Sequence, residues 1–278
     1  MDEIAGYYAM DREHDRLRRG LGVVEFARTL DVLGRVLPPP PATVLDIGGG
    51  AGVYARELLR GGYTVHLLDA MPGHIERARA DAGLTGLASI TLGDARELPS
   101  PDAGVDAALL LGPLYHLTGG ADRARALAEV RRVLRPGGVA VAAVIPRAGA
   151  ICGDFTRGLP DESYSRPIRE GAYRTGAYRN PEARTGYFTT AYFHHPAELT
   201  AELETAGFED VTLYGLEGPS NLLADPEGVM EHPVRREGLL SALRMMERDP
   251  ALLGISGHVL GVGRTPGGPS ATSAPVGS

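Results

Sequence analysis

Thr43-Val44-Leu45-Asp46-Ile47-Gly48-Gly49-Gly50-Ala51-Gly52 decides how this chain is read. Its first half, Thr43 to Ile47, is β-branched and apolar, as a buried strand is. It breaks into four glycines within five residues. Val53 to Arg60 then shows helical spacing and stops at Gly61-Gly62. Strand, glycine turn and helix together bring backbone N–H groups and a helix N-terminus close to a ligand. A second apolar run, Thr64 to Leu68, ends in Asp69, nineteen residues after Gly50. An acid at the tip of the second strand is placed to hold a pair of ribose hydroxyls. The chain thus opens its sheet with a nucleoside-binding βαβ unit.

Glycine spacing alone leaves the nucleoside open, because Gly50, Gly52 and Ala55 also fit the dinucleotide pattern G-x-G-x-x-G/A. Three further features discriminate. Asp46 precedes the glycines, giving D-x-G-x-G-x-G through Gly48, Gly50 and Gly52. A third strand, Ser89 to Leu92, ends in Gly93-Asp94-Ala95, another carboxylate at the same sheet edge. Val133-Leu134-Arg135-Pro136-Gly137-Gly138 closes a helix just before an apolar strand. At these residues the chain resembles the class I S-adenosylmethionine (SAM) dependent methyltransferases, and most of all the small-molecule branch that includes the quinone-biosynthesis enzymes. The resemblance spans roughly residues 40–146.

What the resemblance implies can be placed residue by residue. The fold would be α/β and Rossmann-like, a mainly parallel sheet of about seven strands with helices on both faces. SAM would be the cofactor and S-adenosylhomocysteine the product. Gly48 to Gly52, with Gly48, Gly49 and Gly50 leading, would face its methionine portion with backbone groups. Asp46 would belong to the same cofactor site, Asp69 would take the ribose, and Ala70-Met71 would border the adenine. Asp94, with the N–H of Ala95, would meet the adenine amino group. Leu111, at the end of the fourth strand Val105 to Leu111, would lie beside the transferable methyl. Tyr115 and His116 follow it and are the first candidates for a catalytic base. In related enzymes the segment before the first strand closes over the cofactor, which makes Tyr7, Tyr8 and Arg28 candidate contacts.

Around this unit the rest of the chain falls into place. Residues 1–41 form a helical cap segment, with Asp11 to Leu37 helical and stopped by Pro38 to Pro41. The domain proper runs over 42–265, and the Gly-, Pro- and Ser-rich tail 266–278 is expected to be disordered. Residues 153–193 hold eight of the sixteen Phe and Tyr residues, show little helical periodicity, and carry a Gly-Ala-Tyr-Arg echo at 171–179. They read as an inserted lid whose Tyr173, Tyr178 and Tyr187 would wall a planar or cationic acceptor. His195-Pro196 reads as a helix start rather than a metal site. Met230 to Arg248 supplies one or two helices placed over the acceptor, and Gly257 to Arg264 is expected as an edge strand.

Composition narrows the function classes. A net charge of −7 disfavours a nucleic-acid backbone as partner. One cysteine, Cys152, leaves no internal disulfide and no cysteine-based zinc cage, and no metal site is expected. No apolar run approaches the ~18 residues of a membrane span, and the N-terminus is no signal peptide. A cytoplasmic enzyme acting on a small aromatic or nitrogenous, indole-like molecule is the expectation. A SAM-binding protein that does not methylate, such as a cyclase or lyase acting on SAM, and an NAD-dependent oxidoreductase remain as alternatives. The oligomeric state is open.

Overall fold

A computed structural model describes residues 4, 6, 16–156, 158, 162–180, 182, 184 and 187–267. Among these, seven strands form one sheet: β1 (Thr43–Ile47), β2 (Thr64–Asp69), β3 (Ser89–Leu92), β4 (Val105–Leu110), β5 (Leu134–Val144), β8 (Glu209–Gly215) and β9 (Val259–Arg264). A short hairpin, β6 (Ala177–Tyr178) with β7 (Ala191–Tyr192), stands apart from it. The sheet order is β3-β2-β1-β4-β5-β9-β8. Its first five strands are parallel, and β9 pairs antiparallel with both β5 and β8.

The last strand is therefore interior. Val259 to Val262 are all buried, and an apolar run of that kind is suited to two neighbours. The edge falls instead to β8, where residues 209–214 are exposed or half-buried. The expected edge strand at the chain's end is thus corrected.

Strand alternation sends successive side chains to opposite faces. Val44, Leu109 and Val141 join one core with Val32, Leu33 and Val36 of the helix Gly22–Val36. Leu45, Leu110 and Ala142 join the other with Leu127 and Val130 of the helix Gly120–Val133 and Leu199 and Leu203 of the helix Pro196–Thr205. Capping fixes the last of these: Glu198 accepts from the N–H of His195 at 2.8 Å, as the His195-Pro196 start implied.

Four further expectations are revised. The N-terminal helix begins only at Gly22, after a 3₁₀ turn at Arg16–Arg18, and residues 11–15 lie outside the described ones. The stretch after β5 is more helical than its pattern suggested, with helices Arg147–Thr156 and Glu162–Thr175. The 171–179 echo is no structural repeat, because its first half ends a helix and its second forms β6. The helices Pro226–Glu231 and Pro233–Met246 do not cover the acceptor side. They lie against Gly22–Val36, where Arg244 meets Asp31 at 3.0 Å. Among the described residues no helix is long and apolar enough to cross a membrane. Most of the tail, 268–278, falls outside the description.

Candidate active site at the carboxyl edge of the sheet

Strand order reverses between β1 and β4, and in such sheets the crevice opens at the carboxyl ends of the diverging strands. The turn after β1 is held there by its neighbours. The N–H groups of Gly48 and Gly49 donate to the Leu68 carbonyl at 2.7 and 3.2 Å. Gly48, at φ 70°, leaves no room for a side chain, since a Cβ would come within 2.6 Å of Pro113. Gly50, at φ 59°, faces open space, and its nearest neighbour would be His74 at 3.9 Å. One glycine thus seats the turn against the segment after β4, and the other keeps a concave surface bare for a ligand.

Three carboxylates ring this surface, each in a different state. Asp46 is buried, and neither of its oxygens has a hydrogen-bond partner. Burial, helped by the charge of Asp69, pushes its carboxyl up to about 7. Asp69 is well supplied: it accepts from the N–H of Gly50 at 2.8 Å, the N–H of Met71 at 2.8 Å and His74 at 3.0 Å. A carboxylate has about four acceptor positions, so Asp69 keeps capacity for a hydroxyl. Asp94 accepts from its near neighbour Arg96 through Nε at 2.9 Å, Nη2 at 2.6 Å and the backbone at 2.8 Å. Those bonds hold its carboxyl below the usual range.

All three acids, with Gly48 to Gly50, Ala70, Met71, Ala95 and Leu111, line one cavity of about 750 Å³. Its second half runs on to Tyr115, His116, Tyr178, Tyr187, Phe188 and Phe193. These rings pack on one another. Phe188 lies 5.7 Å from His116, 6.2 Å from Tyr115 and 6.4 Å from Tyr178, while Tyr178 and Phe193 are 5.1 Å apart. The Phe188 N–H donates to the Tyr178 hydroxyl at 3.1 Å, so the wall is braced as well as apolar. Burial pulls the His116 imidazole down to about 4, which keeps it neutral and a weak proton acceptor.

Two candidates from sequence fall elsewhere, and a third is not described. Tyr173 is 51% exposed and does not line the cavity, because the helix Glu162–Thr175 turns it outward while Ala172 faces in. Arg28 is fully buried off the cavity wall, where it pairs with Asp31 and Glu247 and ties the helix Gly22–Val36 to the chain after Met246. Its charge is used in packing and does not reach the cofactor side. Tyr8, like Tyr7, lies outside the described residues. Tyr192, from the same aromatic-rich segment, is covered by the guanidinium of Arg123 at 4.0 Å and belongs to the scaffold.

One constellation escaped sequence reading. His258 lines the cavity, and its Nδ1 sits 2.8 Å from Glu217 and 3.4 Å from Glu25. Arg16 pairs with Glu25 in turn. Glu217 also accepts from the His258 backbone at 2.7 Å and from Ser256 at 3.0 Å. The partners come from opposite ends of the chain, so no local spacing announced them. The only available signal was a polar Gly257-His258 step just before an apolar strand.

Comparison with known proteins agrees with this geometry. Residues 45–142 match the family model described as a methyltransferase domain. Human methyltransferase-like protein 27 is 37% identical over 113 residues, 40% of this chain and 44% of its own. The ubiquinone/menaquinone biosynthesis C-methyltransferase of Acidiphilium cryptum is 34% identical over 145 residues, 49% of this chain and 53% of its own. The chain therefore spans about half the length of these curated relatives. Among solved structures, SAM-dependent methyltransferases from Thermotoga maritima and Mesorhizobium loti share the fold, with TM-scores of 0.58 and 0.55. Their identities are 18% and 19%; the alignments cover 93% and 87% of this chain and 99% of each of theirs. The residues present fit SAM, the cofactor named for those solved structures. The bare face at Gly50, the unpartnered Asp46 carboxylate and the spare capacity of Asp69 suit a ligand that carries a cation and a ribose.

Proposed function

We propose that this chain, a class I SAM-dependent methyltransferase by its domain and its fold, methylates a small, flat, aromatic or nitrogenous molecule. The observation that carries the acceptor half of this reading is the continuity of the cavity. The surface assigned to the cofactor runs directly into the aromatic wall of Tyr115, Tyr178, Phe188 and Phe193. A volume of about 750 Å³ lies in the upper part of the range for small-molecule sites, which suits a cofactor with a small partner beside it.

When bound, SAM supplies a methyl group on a sulfonium that is already strongly electrophilic. The chain's part is then to orient, to exclude water and to manage one proton. Gly48 to Gly50 and Asp69 hold the cofactor end. Tyr178 and Phe188 set the plane of the acceptor ring by stacking. Leu111 and Tyr115 close the space between them. Residues 153–193 serve as the lid over the acceptor, and the acceptor is a small molecule rather than a nucleic acid, in keeping with the acidic balance of the chain. A quinone-biosynthesis C-methyltransferase among the relatives fits an aromatic-ring acceptor.

The test is a thermal-shift screen of phenols, amines and indoles with S-adenosylhomocysteine present, followed by product analysis. Ligands that stabilise only with the nucleoside, and that yield S-adenosylhomocysteine when given SAM, support the reading. Methylthioadenosine as the product would instead indicate chemistry on SAM itself.

A further inference from the structure

We propose that His258 is the group that takes the acceptor's proton, with Glu217 holding its Nδ1–H so that Nε2 presents a lone pair to the cavity. This rests on the methyl-transfer reading and narrows it to acceptors that carry a proton, an O–H or an N–H, at the atom methylated.

The geometry points to it in three ways. First, both carboxylates lie on the Nδ1 side of the ring, Glu217 at 2.8 Å and Glu25 at 3.4 Å. Nε2, on the far side, is left for the cavity that His258 lines. A carboxylate that fixes one ring nitrogen as a donor makes the other an acceptor. Second, the ring stands 6.4 Å from that of Tyr115, whose hydroxyl reaches the Leu111 carbonyl at 3.4 Å. His258 thus borders the end of β4, between the cofactor surface and the aromatic wall. Third, Glu217 is itself fixed. It accepts from Ser256 Oγ and from the His258 backbone, and Ser256 receives no room to move because it is fully buried.

The groups packed around His258 carry both signs, and the two carboxylates prevail. Glu217 follows β8, Glu25 comes from the helix Gly22–Val36, Arg16 from the preceding 3₁₀ turn, Tyr115 from the helix Pro113–His116, and Tyr54 lies near Glu25. Burial and Arg16 work against a charged imidazole, yet Glu25 and Glu217 together hold it above its ordinary value. His116, another histidine of the cavity, is shifted the opposite way. Glu25, Glu217 and His258 could also be drawn as a metal trio, since their ligand atoms lie within 4.8 Å of one another. Arg16 already balances Glu25, however, and a cation would have to break that pair.

The step balances without any added reagent. The acceptor's oxygen or nitrogen bonds to the methyl carbon as the carbon–sulfur bond breaks, and sulfur keeps that electron pair. The acceptor's proton passes to His258 Nε2. Glu217 and Glu25, on its Nδ1 side, stabilise the imidazolium until solvent removes the proton.

Long-range ¹H–¹⁵N NMR of the full chain with S-adenosylhomocysteine tests the assignment without an acceptor. The expected His258 spectrum is the neutral Nδ1–H tautomer at high pH, titrating above 6.5, with a lowered midpoint in Glu217→Gln. The Nε2–H tautomer, or a midpoint below 6.5, would overturn the proposal, as would His258 shifts that follow added Mg²⁺ or Zn²⁺. If Glu217→Gln does not fold, the wild-type tautomer and midpoint still decide. Kinetics give the second arm. His258→Gln should lower kcat on a phenol ~10²-fold or more, as loss of a general base does, with SAM affinity within twofold. Unchanged kcat would refute the base. If the wild-type chain binds neither SAM nor S-adenosylhomocysteine, the cofactor reading fails instead, which calorimetry distinguishes.

Discussion

Asp46, one residue before the end of β1, and Asp69, the last residue of the adjacent parallel β2, divide their roles unequally: Asp69 accepts three hydrogen bonds, while buried Asp46 accepts none. A pair of acids so placed costs the empty protein stability and suits a cationic ligand. The sign follows from linkage. Asp46 titrates at about 7 when folded and near its ordinary 3.8 when unfolded, so the folded state binds more protons between those values. Stability is therefore highest at the acidic side of that window and falls as pH rises through 7. Asp46→Asn should raise the melting temperature at pH 8 and flatten this slope, by an amount on the order of 4 kcal/mol at most. His258, also raised, leaves a residual slope of the same sign. Melting curves of both proteins from pH 5 to 8 check this.

The same carboxylate makes cofactor binding pH-dependent. SAM carries a sulfonium and an ammonium, and each favours the ionised acid. Affinity for SAM should weaken as pH falls below about 7, by up to tenfold per unit, and Asp46→Asn should lose the dependence. Calorimetry at pH 6 and 8 measures it.

Asp69→Ala should weaken SAM binding by ~1–3 kcal/mol, because a charged acceptor for the ribose is removed. It also frees the N–H groups of Gly50 and Met71. A Kd equal to that of wild type would take Asp69 out of the site.

The aromatic wall divides the tyrosines of the lid. Tyr178→Ala and Phe188→Ala should each lower kcat/KM for the acceptor two- to tenfold, in line with ~0.5–1.5 kcal/mol per stacked ring. Tyr173→Ala, at an exposed position, should leave it unchanged. Steady-state kinetics on the three variants, with SAM affinity as control, separates a substrate wall from internal packing of the lid.

Arg28→Met is expected to destabilise by ~1–3 kcal/mol without changing SAM affinity per folded molecule, since buried Glu247 loses its fully buried partner and keeps only the half-exposed Arg35. Denaturant unfolding and calorimetry read the two effects apart.

These residues also show what the sequence made legible. The run from Thr43 to Gly52 and the acids at 69 and 94 carried the fold and one wall of the cavity together, because strand, turn and acid are local patterns whose spacing the backbone fixes. The acceptor side was less readable. Tyr173 and Tyr178 stand in the same echo, yet one falls on the outer face of a helix and the other on a strand facing the cavity. Composition records enrichment and not direction. Arg28 was misplaced because a cation on the helix preceding β1 gives no sign of a partner 219 residues away. His258 was missed for the same reason, with its carboxylates brought from distant segments. The position of β9 inside the sheet likewise depends on pairing that no single strand encodes.

Calorimetric titration of S-adenosylhomocysteine into the wild-type chain and into Gly50→Val tests the central claim most directly. Valine at Gly50 would enter only open cavity, since the nearest protein atom to a Cβ there is 3.9 Å away, so the fold should persist with modest backbone strain. The account predicts saturable one-to-one binding to the wild type and none to a folded Gly50→Val. A wild-type chain that ignores S-adenosylhomocysteine and binds NADH, or a folded Gly50→Val with wild-type affinity, would contradict it.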